Sequence, residues 1–208
     1  MEPQAEFVPG LMLARAAAFS WPGRLEEEFP AAAVLVPALA NDKEASSHSD
    51  RMCRLVVAVG KALTLGESDI RGLWLGAALH DVGKICIPGS ILRKAGPLAA
   101  EERAILNEHP ALGERLCAPY RALKAALPII RHHHERFDGS GYPDRLAGEA
   151  IPLAARIVQI VDIFDALITA RCYKPAWPIG QALAGMRAEC DEGHIDARLL
   201  REFARLIG

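Results

Sequence analysis

The twelve residues from His132 to Pro143, HHHERFDGSGYP, gather more ligand chemistry than any other part of the chain. Three imidazoles and the carboxylates of Glu135 and Asp138 fall within seven residues, ahead of a Gly-Ser-Gly-Tyr-Pro turn. Upstream, His80 and Asp81 are adjacent in ALHDVGK; downstream, Asp162 sits in the apolar stretch IVQIVDIFDAL. Histidine and carboxylate are the side chains that hold iron, manganese or zinc. Imidazoles and acids in apolar helical surroundings are costly to bury without a compensating cation. The pattern points to a polynuclear metal site and, through it, to phosphoester hydrolysis.

Spacing sharpens this. Residues four apart share a helix face, so Glu44 and His48 point together. His80 and Asp81 end an apolar helix at Gly83 and diverge by about 100°, so both reach one cluster only if it lies between their directions. A carboxylate can bridge two ions whereas an imidazole usually ligates one, which makes Asp81 the natural bridge. His109, just before Pro110, and the pair His133-His134 add three imidazoles, and Asp162 closes the set.

Singly, each residue has a duller reading. A lone helical histidine is usually a surface or satisfied core residue, Glu44-x-x-x-His48 could be a solvated face, and Asp162 could pair with Arg156. Their joint occurrence favours the metal. His132 and His194 keep the duller role, His132 as packing or support and His194 as a residue of a C-terminal loop.

Such side chains need rigid elements to carry them. Ala, Leu, Glu and Arg dominate, and apolar residues recur at three and four, so the chain reads as all-α, a single-domain helical bundle. Helices are expected at 25–40, 43–64, 68–82, 99–108, 110–118, 120–134, 152–170, 178–191 and 196–207. Ser68-Asp69, Pro178 and Asp196 are start signals, and Gly66 is a stop. At most a short extended piece is expected between Gly139 and Ile151. Residues 1–24, with Pro3, Pro9, Gly10 and Trp21-Pro22-Gly23, read as an irregular leader with one short helix, and 25–208 as the compact domain.

With 208 residues and 51% hydrophobic content, the chain suffices for one good-sized core. Its 24 basic and 26 acidic residues leave a net charge of −2, which argues against a nucleic-acid polymer or an anionic membrane as partner. Five scattered cysteines without a C-x-x-C pair read as reduced thiols. The best apolar run, 151–170, is interrupted by Arg156, Asp162 and Asp165, and no basic region precedes the N-terminal apolar patch. The expectation is a cytoplasmic protein.

The order His48, His80-Asp81, Asp162 resembles the HD superfamily of metal-dependent phosphohydrolases. The longer runs HDVGKICIPGSILRKAG, NEHPALGERL, HHERFDGSGYPDRLAGEAIPLAARIVQIVDIFDAL and RCYKPAW are similar to its HD-GYP family, over about residues 40–205. That resemblance implies an all-helical cyclic di-GMP phosphodiesterase with two or three divalent metals, commonly iron or manganese. It implies metal ligation by His48, His80, Asp81, His109, His133, His134 and Asp162, with Glu44 at the position that serves a third metal. Lys84 matches the lysine near the reacting phosphate. Tyr142 and Pro143 match residues lining the substrate pocket, and Arg171 and Lys174 those gripping its phosphates. The segment ITARCYK departs from the family, which usually has Ser-Asp before the arginine and Pro after it. The N-terminal forty residues match no receiver domain, and Leu11, Leu13 and Phe19 there could mediate a homodimer or bind a signalling partner.

The implied mechanism is in-line attack of a metal-bridging hydroxide on phosphorus, giving pGpG, GMP or both. Asp81 and Lys84 stand closest to that chemistry; no protein nucleophile is required, in keeping with the lack of a G-x-S-x-G elbow. Two other readings stay open: hydrolysis of a different nucleotide, and a catalytically quiet cyclic di-GMP sensor or protein-interaction module.

Overall fold

The computed structural model describes residues 43–170 and 175–207, with side chains from His48 onward. Among these residues there is no strand; nine helices and three short 3-10 turns make up the regular structure. The helices are α1 (Lys43–Ala62), α2 (Glu67–Leu79), α3 (Gly89–Leu92), α4 (Ala100–Leu106), α5 (His109–Cys117), α6 (Leu127–His132), α7 (Leu153–Ile168), α8 (Ile179–Asp191) and α9 (Ala197–Ile207). The expected helix 25–40 and the leader 1–24 lie outside the described residues.

The centre of the bundle is α7, which packs on α1, α2, α6, α8 and α9. Its sequence explains the position. Ile157, Val158, Ile160, Val161 and Phe164 form a broad apolar face that must be enclosed, while Arg156, Gln159, Asp162 and Asp165 recur every three residues on the other side. α1 answers with Met52, Leu55, Val56 and Val59, an i, i+3, i+4, i+7 stripe. α9 contributes Leu199, Leu200, Phe203 and Ile207, and Phe203 meets Phe164 edge to face with ring centroids 5.0 Å apart. A second apolar cluster of Leu75, Leu79, Val82, Leu123 and Ile130 joins α2 to α6.

Two expected helices break where the site is built. The helix foreseen over 68–82 stops at Leu79: His80 is its C-cap, Asp81 has φ −94° and ψ 5°, and Val82–Cys86 continues as a 3-10 turn. The one foreseen over 120–134 is interrupted. A 3-10 turn, Arg121–Leu123, precedes α6, and Pro128 occupies the first turn of α6, where its missing N–H costs no helical bond. Between Gly139 and Ile151 there is no strand; the backbone is extended at Ala147 and Ile151, on either side of a 3-10 turn at Gly148–Ala150. Pro178 does cap α8, and Asp196 Oδ1 accepts the N–H groups of Arg198 and Leu199 at the start of α9. No described helix is long and apolar enough to cross a membrane.

Candidate metal centre

Close backbone approach brings the ligand-type residues together. A Cβ on Gly83 would lie 1.9 Å from the carbonyl oxygen of His109, so only glycine lets the turn after Asp81 dock on the start of α5. Across this contact, Asp81, His109, His133 and His134 each bring one ligand-type atom within 4.8 Å of the others. His48 of α1, His80 and Asp162 of α7 form a second such group.

Asp81 stands between the two. Its Oδ1 is 3.3 Å from His109 Nε2 and 3.9 Å from His133 Nε2, whereas its Oδ2 is 3.4 Å from His80 Nε2. The break at Leu79 is what lets adjacent residues serve both groups. His48 Nε2 lies 3.5 Å from Asp162 Oδ1, and the His80 ring links the groups, 5.5 Å from that of His48 and 5.1 Å from that of His133.

Four histidines share one orientation. The Nδ1–H of His80 donates to Ala77 O (2.8 Å), that of His109 to Leu106 O (2.8 Å), and that of His133 to Ile130 O (3.0 Å). The Nδ1–H of His48 donates to Asp165 Oδ2 at 2.7 Å, and Asp165 is held in turn by the Arg51 guanidinium. With Nδ1 engaged in this way, the nitrogen left to each ring for a cation is Nε2, turned inward.

The donors therefore fit a cation on structural grounds. His109 Nε2 and His133 Nε2 face each other at 3.3 Å, an arrangement that sets lone pair against lone pair unless an electrophile sits by them. The nearest carboxylate oxygen, Asp81 Oδ1, is buried and has no hydrogen-bond partner. Burial, with the charge of neighbouring His134, holds the His133 imidazole well below its ordinary pKa. Burial and His109 likewise bring His134 down to about 3. Both are neutral, as ligands must be. For His80 burial also lowers the pKa, but Asp81 outweighs it and sets the value at about 9. Asp81 itself falls well below the carboxylate range, since His80 and Lys84 overcome the opposing effect of burial. No thiol belongs to either group.

Around this centre lie the other expected residues. Lys84 Nζ is 2.6 Å from Asp81 Oδ2. The Tyr142 ring lies over His134, centroids 4.9 Å apart at 31°, and 6.5 Å from that of His109; Pro143 follows it through a cis peptide bond. Glu44 lies in α1, one turn before His48, but its side chain is outside the described set, as are Arg171 and Lys174 entirely.

Several further residues lie outside the two groups. Arg156 pairs with Asp196, not Asp162. His132 Nδ1 points to Asp144 Oδ2 at 3.4 Å, away from both groups. His194 is more than a loop residue: its Nδ1–H donates to Glu189, its Nε2 accepts from Arg136, and its carbonyl accepts the Phe137 N–H. The sequence alone does not single out Asp165 and Arg51 as supports of His48. The i, i+3 spacing of Asp162 and Asp165 on α7 was the available signal.

A family model described as "HD domain" matches residues 33–199. The chain is 44% identical over 171 residues to the cyclic di-GMP phosphodiesterase response regulator RpfG of Xanthomonas campestris, covering 79% of this chain and 45% of that protein. It is 37% identical over 175 residues to the cyclic di-GMP phosphodiesterase PA4108 of Pseudomonas aeruginosa, covering 84% and 42%. It thus spans under half the length of either relative. Among solved structures, Bd1817, an HDG"Y"P protein from Bdellovibrio bacteriovorus, has the same fold, with a TM-score of 0.61 at 21% identity over 96% of this chain and 69% of that one.

Proposed function

The chain belongs to the HD-domain family, of the HD-GYP type, and from that premise we propose that it is a phosphodiesterase that hydrolyses cyclic di-GMP with two or three divalent metal ions. The observation that carries this reading is Asp81, whose two oxygens turn to different histidine groups. One ion would be held by His109, His133, His134 and Asp81, and another by His48, His80, Asp162 and Asp81. A mixed imidazole–carboxylate donor set without thiolate favours iron or manganese. Glu44 is assigned to a third ion.

When bound, such ions clamp a phosphodiester and lower the pKa of a water toward about 7. The chain's own residues do the rest. Asp81 holds the two ligand groups in register. Lys84, partly exposed beside it, offers a cation to the phosphoryl oxygens. Tyr142 presents its ring beside His134, and Pro143 shapes that turn. Arg171 and Lys174 are assigned to the phosphates that the centre does not reach, in a chain whose net charge of −2 gives no general attraction for them.

A cytoplasmic setting suits the free thiols Cys53, Cys86, Cys117 and Cys190. The domain is taken as 25–208, with 1–24 as a leader that serves a homodimer or a signalling partner.

Turnover of cyclic di-GMP by anaerobically purified protein, supplied with iron or manganese and followed by product chromatography, tests the proposal. A calorimetric titration beside it separates the outcomes. Hydrolysis to pGpG or GMP supports it, binding without turnover would make the chain a sensor, and turnover of another nucleotide alone would reassign the substrate.

A further inference from the structure

Glu135 follows the ligand-type pair His133-His134, is 1% exposed, and yet belongs to neither group around Asp81. A buried carboxylate is expensive unless its oxygens are engaged. Here both are, and both by the same loop. Oε1 accepts the N–H of Asp144 at 2.7 Å, and Oε2 the N–H of Leu146 at 3.1 Å. The outgoing arm of the loop is held by the same residue: a Cβ on Gly141 would lie 2.5 Å from Glu135 Cα. The Glu135 carbonyl accepts Gln159 Nε2 at 2.6 Å, which ties the assembly to α7, the helix of Asp162. Between the two held arms lies Tyr142, whose N–H donates to His134 O at 3.2 Å and whose ring lies over the His134 imidazole.

We propose that Glu135 is a positioning residue for Tyr142: its carboxylate clasps the returning arm of the loop so that the phenol ring stands at a fixed height over His134. There the ring offers a flat face to a nucleobase of the cyclic dinucleotide, so this inference rests on the proposed function. A carboxylate is required because two N–H groups need two acceptor oxygens. A glutamine supplies one, and sets an amide N–H against the other donor.

The test compares Glu135→Gln, Tyr142→Ala and the double variant, at equal metal content. Glu135→Gln should raise KM for cyclic di-GMP about tenfold while kcat changes little. Because Glu135 acts through Tyr142, the double variant should be no worse than Tyr142→Ala. Multiplying losses would overturn the proposal, as would an unchanged KM. Amide hydrogen exchange supplies a readout independent of activity. In Glu135→Gln the amides of Tyr142, Asp144 and Leu146 should exchange at least about tenfold faster, with those of α7 unchanged. Unaltered loop exchange overturns the clasp, and faster exchange throughout α7 makes Glu135 merely structural. A wild type inert toward cyclic di-GMP defeats the substrate reading and leaves the exchange experiment to judge the clasp.

Discussion

The Nδ1 of His48 and the Oδ2 of Asp165 are 2.7 Å apart, joining α1 to α7 directly behind a ligand-type nitrogen. Burial tends to raise the Asp165 pKa, but the bonds from His48 and Arg51 hold it below the usual carboxylate range. The anion fixes the tautomer and direction of the imidazole. Asp165→Ala should weaken metal binding on the His48 side by about 10–100-fold, the usual effect of losing such a partner. Chelator competition would read this as one weakened ion per chain. Wild-type affinity for every ion would mean that packing alone orients His48.

Asp81 faces both groups, so its loss should be felt twice. Asp81→Ala is expected to abolish hydrolysis and to lower metal content by more than one ion per chain, measured by elemental analysis after desalting. Full occupancy in the variant would remove Asp81 from its bridging role.

The three consecutive histidines should separate in function. His133 and His134 point to the Asp81 group, whereas His132 Nδ1 points to Asp144. His133→Ala and His134→Ala should each eliminate activity. His132→Ala should cost about 10–100-fold at most, the scale of indirect support. Equal losses at all three positions would show that the register of ligation is shifted.

Much of this site was legible from residue type and spacing, because histidines and acids in apolar segments have few other uses. The helical class followed from periodicity, and α1, α7, α8 and α9 fall within a few residues of expectation. What spacing could not supply was the break between Leu79 and Val82, which depends on the contact of Gly83 with His109, residues that are distant in sequence. The same limit hid Asp165: its partner His48 is 117 positions away. Glu135 was visible as a carboxylate in a ligand-rich run, but only the folded loop shows that its oxygens are spent on Asp144 and Leu146.

Metal binding should release protons, and the sign follows from His80. Burial lowers its pKa, Asp81 raises it more, and the value settles at about 9. Below that pH the metal-free ring carries a second proton on Nε2, which an incoming cation must displace. Apparent affinity should therefore rise with pH, up to about tenfold per unit, and level off once His80 is neutral on its own. His133, held well below its ordinary value, and His134, at about 3, contribute nothing to this slope near neutrality. Calorimetry in buffers of different ionisation enthalpy measures the proton directly; zero release near pH 7 would contradict the assignment of His80 as a ligand.

Whether the centre takes two ions or three turns on Glu44. It lies on α1 four residues before His48, the spacing that places both on one helix face. The competing roles for Glu44 are a solvated acid or a partner for Lys43 or Arg51. A third ion would need anionic ligands of its own, because Asp81 and Asp162 already serve the other two in the arrangement proposed. With Glu44 as that anchor, each non-bridging side of the phosphate could meet a positive centre, which helps a bulky cyclic dinucleotide sit in line for attack. Glu44→Gln keeps the size of the side chain and removes its charge. It should lower metal content by about one ion per chain and slow turnover, without the collapse expected for Asp81→Ala. Metal counting on anaerobically purified wild type and variant decides the matter. Two ions in both would leave Glu44 with one of those competing roles and the proposed Asp81-bridged pair standing.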